Sequence, residues 1–414
     1  YLGGIITANP TEPSSNLSTA SASGMWTLQE ALSFYRAGDW PDPANTPSIG
    51  LFMAGYSGSS AVNVVDKIVP ESAGNATDFG DTSATKYQVG GFSSDTRSVV
   101  AGGYGSSATN VIEFFTFTSS GNATDFGDLS AVAYGTYALS NNVRGVIGLG
   151  YASSKVNTLE YVTIPSTGNS IDFGDSTVTR AWSSTVGSTT RGVFGGGDLA
   201  STNNVIDYIT LANVGNATDF GDLTSARGGL GGAGNNTRGI FAGGGIGGYQ
   251  NVIDYITIAS IGNATDFGDT ARNADSLAGL ANSTKGIFAG GRNDSGNFND
   301  IQQVTIATTG DATDFGDLTV AKESTAGACS ATEAVQSLYD VSSVASVGNI
   351  GLYFGENING SYSDIIRMID INTTGDETSF GTLTASRAKK YGGFGNSVRG
   401  GVAGGHSPED VIEY

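Results

Sequence analysis

The sequence predicts an all-β chain folded as a β-propeller of seven four-stranded blades, with eight as the alternative count. Three observations carry that expectation. A seven-residue marker, Asn-Ala-Thr-Asp-Phe-Gly-Asp, returns with its fourth position at Asp78, Asp125, Asp172, Asp219, Asp266 and Asp314, and in degraded form at Ser379. The intervals are 47, 47, 47, 47, 48 and 65 residues, and self-similarity at a fixed period of this size marks a repeat array. Gly supplies 63 of 414 residues while hydrophobic residues still make up 38%, gathered in short runs rather than at helical spacing. Each period holds four strand-like pieces, the content of one propeller blade.

The fifth period shows the pieces in order. Residues 228–234 are a small-residue first strand. Asn235-Asn236-Thr237-Arg238 is a turn, because Asn tolerates the left-handed conformation that tight turns need. Residues 239–244 form a short apolar second strand closed by the pair Gly243-Gly244. In the third, residues 251–258, alternation puts Val252, Asp254, Ile256 and Ile258 on one face and Ile253, Tyr255 and Thr257 on the other. Both faces are largely apolar, as expected of a sheet held between two neighbours. Residues 263–269, the marker itself, end the unit as an edge strand and turn.

The second and third strands occur eight times, from residues 49–56 and 63–69 to residues 401–405 and 410–414, whereas the marker occurs seven times. A blade that mixes early and late strands would remove the exposed edges and close the ring. The long last interval implies an insertion at about residues 327–349.

Residues 1–47 differ from the repeat. Residues 1–23 are rich in Ser, Thr, Asn and Pro and read as an extended arm. A short helix is expected from Thr27, with Glu30 three residues later completing a capping box. Trp40-Pro41 and Pro43 stop it.

The repeat resembles the kelch family. Its Gly pair recurs as Gly102-Gly103, Gly196-Gly197, Gly243-Gly244, Gly290-Gly291 and Gly404-Gly405, and a third-strand aromatic at Phe114, Tyr161, Tyr208, Tyr255 and Tyr414. The family's Trp is replaced by Phe79, Phe126, Phe173, Phe220, Phe267, Phe315 and Phe380. The resemblance covers residues 48–414 and implies a kelch-like propeller. The Ser-Gly-x-Trp-x-Leu segment with its Trp-Pro stop is similar to a segment of many tailed-phage virion proteins. The marker repeats look like those of marine phage structural proteins. Together they imply a virion structural protein, most naturally a tail-fibre or host-recognition component, with capsid or collar decoration as the near rival. A secreted bacterial adhesin or lectin is the alternative from another class. Expected partners are other virion proteins, through an arm bearing Trp26, Leu28 and Trp40, further copies of the chain, and a host surface glycan or protein.

Charge narrows the rest. The formal net charge is −20, which disfavours phosphate backbones and anionic lipid surfaces. No apolar run reaches the length of a membrane span. The single Cys329 excludes an internal disulfide framework and a Cys-based zinc site.

The densest polar constellation is the acidic pairs of the marker: Asp78 and Asp81, Asp125 and Asp128, Asp219 and Asp222, Asp266 and Asp269, Asp314 and Asp317. A hard cation such as Ca²⁺ needs six or more oxygens, so two carboxylates per loop are too few alone. Local bonding of Asp and Asn to backbone amides, with Gly at positive φ, accounts for the same pattern. Asn75, Asn122, Asn216 and Asn263 match the glycosylation pattern, which turn chemistry also explains. The basic residue before each second strand (Arg97, Arg144, Arg191, Arg238, Lys285, Arg399) is expected to pair with a marker Asp of its own or the adjacent blade. With His406 as the only histidine, a nucleophile relay has no base to spare, and the chain is read as a non-enzyme needing no cofactor. The insertion, with Glu333, Tyr339 and Asp340, breaks the symmetry and reads as a contact loop.

Overall fold

The computed structural model describes residues 47–198, 203–245 and 248–330 in full and the strand backbones between 350 and 413. The chain divides into two compact units, one up to Leu338 and one from Tyr339. Trp26, Leu28, Trp40, the expected helix, Glu333, Tyr339, Asp340, Arg399 and His406 lie outside the described residues.

The first unit is an all-β propeller of six four-stranded blades, where seven or eight were expected. The second blade shows the plan. Gly90–Ser93 is innermost, followed outward by Arg97–Ala101, Thr109–Thr116 and Thr124–Ala133, each antiparallel to the last. The next four blades repeat this order to Thr313–Asp317. The first blade has Gly50–Tyr56, Ala61–Ile68 and Thr77–Asp81 from the start of the array, but its innermost strand is Ala326–Cys329. The register pairs Gly50 with Cys329, Phe52 with Gly327 and Met53 with Ala326. The edge of Gly50–Tyr56 thus takes the first small-residue strand after the sixth marker, and the ring closes there. Gly327, Ala328 and Cys329, assigned from sequence to an insertion, are that strand, and Cys329 is buried within it.

The remaining copies lie in the second unit. There Ser361–Asp370 pairs with Ile350–Phe354 and with Thr378–Arg387, which carries Ser379. Tyr391–Gly395, Gly400–Gly404 and Ile412–Glu413 make a separate sheet.

Small residues set the ring's width. At the axis the innermost strands present Gly91, Ala138, Thr185, Gly232, Gly279 and Gly327 in turn, lining a narrow channel of about 180 Å³. A Cβ on Gly279 would stand 2.1 Å from the Gly232 carbonyl oxygen, and one on Gly327 2.2 Å from that of Gly279. Larger side chains would force the blades apart, so the glycine-rich first strand is what allows so tight a ring.

Six hydrophobic clusters fill the six blade interfaces. Between the fifth and sixth blades, for example, Ile240, Ile253 and Phe267 meet Phe288, Val304 and Ile306. Each third strand also carries one buried polar group on its packed face: Asp66, Glu113, Glu160, Asp207, Asp254 or Gln302. Four of these meet a buried cation, namely Lys322, Lys86, Arg180 and Arg227 for Asp66, Glu113, Asp207 and Asp254. Lys322 also donates to the carbonyls of Phe52 and Val64, so its three protons are all directed at acceptors. In the sixth blade the cation's position is Ala274 and the acid is replaced by neutral Gln302, whose oxygen accepts from the Ala271 amide at 2.7 Å. The third blade has Ala133 there and keeps Glu160, which takes hydrogen bonds from Ser130 and Ser170 instead.

Candidate functional site

The marker residues stand on the outermost strands, away from the axis. Asp78, Asp125, Asp219, Asp266 and Asp314 are exposed, while Phe79, Phe126, Phe173, Phe220, Phe267 and Phe315 are buried. The marker is a clasp between blades. Gly121 and Ala123 donate their amides to the Phe79 and Asp81 carbonyls at 2.9 and 2.8 Å, and the Asn122 side chain accepts from the Asp81 amide at 3.1 Å. Equivalent bonds recur at every interface, with Asp311 in place of Asn as the acceptor between the fifth and sixth blades and with Gly74, Ala76 and Asn75 on the sixth blade's Phe315 and Asp317. Marker Asn residues are therefore engaged as acceptors. Among the described residues no group of three His, Cys, Asp or Glu stands close enough to hold a metal ion.

The recurring arginines do join neighbouring blades, but through carbonyl oxygens rather than marker carboxylates. Arg97, Arg144, Arg191 and Arg238 donate from Nη1 to Ile164, Leu211, Ile258 and Ile306 of the next blade at 2.6–2.9 Å. Each guanidinium lies 4.4–4.5 Å from the ring of its own third-strand aromatic. That ring in turn packs edge-on against the marker Phe, as Tyr208 does on Phe220. A charged guanidinium gains from both an aromatic face and a carbonyl, and at neither partner does a carboxylate compete.

Symmetry breaks elsewhere, at the end of the channel where each chain segment enters its innermost strand. In every blade one entry residue pairs with a residue at or just beyond the end of the second strand: Glu323 with Tyr56, Tyr87 with Tyr104, Tyr134 with Tyr151, Ala181 with Asp198, Gly228 with Gly245, and Asp275 with Arg292. The next residue is left-handed in all six blades, with φ of 54–68° at Gln88, Gly135, Trp182, Gly229, Ser276 and Ser324. These six amides form a closed circle, each donating to the equivalent carbonyl of the preceding blade at 2.7–3.0 Å. Left-handed backbone is unfavourable for residues other than Gly; four non-glycine residues accept it here because the circle satisfies their amides.

On this repeating backbone the side chains divide into three sectors. Tyr56, Tyr87, Tyr104 and Tyr134 form a chain of rings with centroids 5.1, 5.9 and 5.3 Å apart. Tyr134 then stacks on Tyr151 at 4.9 Å and reaches Trp182 at 6.3 Å. Lys155, paired with Asp198 at 2.8 Å, lies 5.6 Å from the Trp182 ring. The fifth blade has Gly228, Gly229 and Gly245, with Tyr249 paired to Gly245 and facing Arg292 of the sixth. The sixth is charged: Arg292 Nε lies 3.0 Å from Asp275 and 3.1 Å from Glu323.

Burial first of all, and then the neighbouring phenols, raise the Tyr87 and Tyr134 pKa values above the usual phenol range. Burial pushes the Glu323 carboxyl up against the pull of Arg292. For Arg292 burial works against the charge, but Asp275 and Glu323 outweigh it and hold the guanidinium above its ordinary value. The rim can therefore offer aromatic faces, phenol hydroxyls and a fixed carboxylate–guanidinium cluster.

None of these rim residues was singled out from the sequence. The signal was there as a column of the repeat, where Tyr87, Tyr134, Ala181, Gly228, Asp275 and Glu323 vary inside an otherwise near-identical unit. No family model matches the chain, and no curated protein matches it in sequence.

Proposed function

We propose that this chain is a structural protein of a tailed-phage virion, a non-enzymatic tail-fibre component whose kelch-like propeller presents one face for host recognition. The observation that carries the recognition reading is the rim: a backbone identical in six blades bearing side chains that differ by sector. Selection for the ring alone would favour one residue at each repeated position, as it does in the marker. Divergence on one exposed face of a rigid scaffold is how loops come to carry binding. The virion reading rests on the resemblance of the Ser-Gly-x-Trp-x-Leu segment and the marker repeats to phage structural proteins.

The test has two arms. Antibody labelling of purified particles should find the chain at the tail fibres; labelling over the head would favour capsid or collar decoration. A chain secreted by bacteria and absent from particles would favour the adhesin or lectin reading. The isolated protein should also bind intact bacterial cells through the rim, so that Trp182→Ala lowers retention while Asp125→Ala, on the periphery, does not.

A further inference from the structure

We infer that the rim is a carbohydrate site, a shelf for a neutral glycan lying along the aromatic arc and ending on the glycine backbone of the fifth blade. The inference rests on the recognition reading and names its ligand class. Sugar rings present C–H faces that pack on aromatic rings and hydroxyls that need hydrogen-bond partners around their edges. The arc supplies both. Its rings follow one another at 4.9–6.3 Å, and the hydroxyls of Tyr56, Tyr87, Tyr104, Tyr134 and Tyr151 make no hydrogen bond among the described residues.

Trp182 adds its indole face, with a buried Nε1 that has no hydrogen-bond partner among the described residues. Its ring lies over Gly135, where a Cβ would come within 3.0 Å of the indole. Beyond Trp182 the floor is the glycine backbone of Gly228, Gly229 and Gly245 with Tyr249 beside it, and next to it stands the Asp275–Arg292–Glu323 cluster, whose oxygens and guanidinium suit vicinal hydroxyls. An apolar partner laid on this arc would bury unpaired hydroxyls at a cost, whereas a glycan would satisfy them. The charge selects within the class. Asp198, Asp275 and Glu323 outnumber Lys155 and Arg292 at the rim, and the chain as a whole carries −20, which repels uronic-acid and sulfated chains.

The experiment is calorimetric titration of the full chain with short neutral hexose oligosaccharides, beside uronic-acid and sulfated chains of matched length. Binding of neutral chains is expected, weakened about tenfold or more in Trp182→Ala and Tyr134→Ala at unchanged melting temperature. Tyr104→Phe and Tyr151→Phe, which keep the rings and remove one hydroxyl each, should each weaken binding by a smaller factor. Should the alanine variants fail to fold, the phenylalanine pair carries the test, and unchanged affinity in both overturns the inference. Binding of anionic chains alone, or of no glycan at all, also overturns it. In that event adhesion to intact bacterial cells separates the two ideas. Adhesion lost in Trp182→Ala keeps recognition through the rim and rejects the glycan, whereas wild-type protein that adheres to no cells removes the recognition reading as well.

Discussion

The amide of Gln88 donates to the carbonyl of Ser324 at 2.9 Å. That bond joins the entry to the second blade's inner strand with the entry to the strand that completes the first. Its five counterparts link blades adjacent in sequence, so this one alone spans the array. Within the first blade the two ends of the array are joined by the pairing of Gly50–Tyr56 with Ala326–Cys329, and between the sixth and first blades the clasp of Asn75 on Asp317 ties the periphery. Closure therefore rests on ordinary repeat bonds made at long range.

The buried ion pairs differ in what they cost to alter. Arg227 and Asp254 are fully buried and 2.7 Å apart. Removing the cation alone, Arg227→Ala, leaves a buried carboxylate without its countercharge and should lower stability by about 3–5 kcal/mol. Arg227→Ala with Asp254→Gln reproduces the sixth blade's Ala274 and Gln302, and should recover most of that loss. Urea unfolding of the two single variants and the double variant measures the coupling; a double variant as unstable as the sum of the singles would refute the equivalence of the two arrangements.

The clasp makes the two glycines that meet across one blade interface unequal. Gly221 has φ +147°, and a Cβ there would lie 2.5 Å from the Gly262 carbonyl. Gly262 has φ +153° but open space around it. Gly262→Ala should therefore cost only the backbone strain, about 1 kcal/mol. Gly221→Ala should cost about 2 kcal/mol or more, because neighbouring blades must separate. Thermal unfolding of both variants gives the comparison.

Arg191 holds the fourth blade to the fifth through the Ile258 carbonyl at 2.6 Å while its guanidinium covers Tyr208. Arg191→Ala should lower stability by about 1–3 kcal/mol, combining a charge-assisted hydrogen bond with a cation–π contact. Arg191→Lys should recover only part of it, since an ammonium cannot lie flat on the ring and reach the carbonyl at once. Hydrogen exchange at the 191–195 and 205–210 strands should show the loosening locally.

Stability should also respond to pH at the rim. Burial raises the folded-state pKa of Glu323 above its ordinary value near 4.5, so the folded protein binds that proton more tightly than the unfolded chain. The resulting stability is present below the ordinary value and is lost as pH rises through the folded one. Glu323→Gln should accordingly gain stability relative to wild type between pH 4 and neutrality, measured as melting temperature against pH. No gain across that window would contradict the assignment.

The blade was legible in the one-dimensional pattern because its forces are local. Alternation in residues such as Ile253, Asp254, Tyr255 and Ile256 marks a strand buried on both faces, Gly pairs mark the ends of second strands, and the marker marks the outer turn. The recurring arginines were read correctly as ties between blades, but not in their acceptors: sequence spacing does not say which carbonyl of the next blade lies beside a guanidinium.

Residues alone therefore settled an all-β repeat array and the strand order within its unit. The count of six, the closing strand Ala326–Cys329 and the sectored rim were settled in three dimensions. The physical reason is that every copy of the repeat carries a competent inner strand, so local propensity cannot choose which copy pairs with Gly50–Tyr56. That choice follows from ring geometry, where glycine at the axis permits blades to approach closely enough for six to close. The rim likewise exists only once Tyr56, Tyr134, Trp182 and Glu323, far apart along the chain, stand on one circle of hydrogen-bonded backbone.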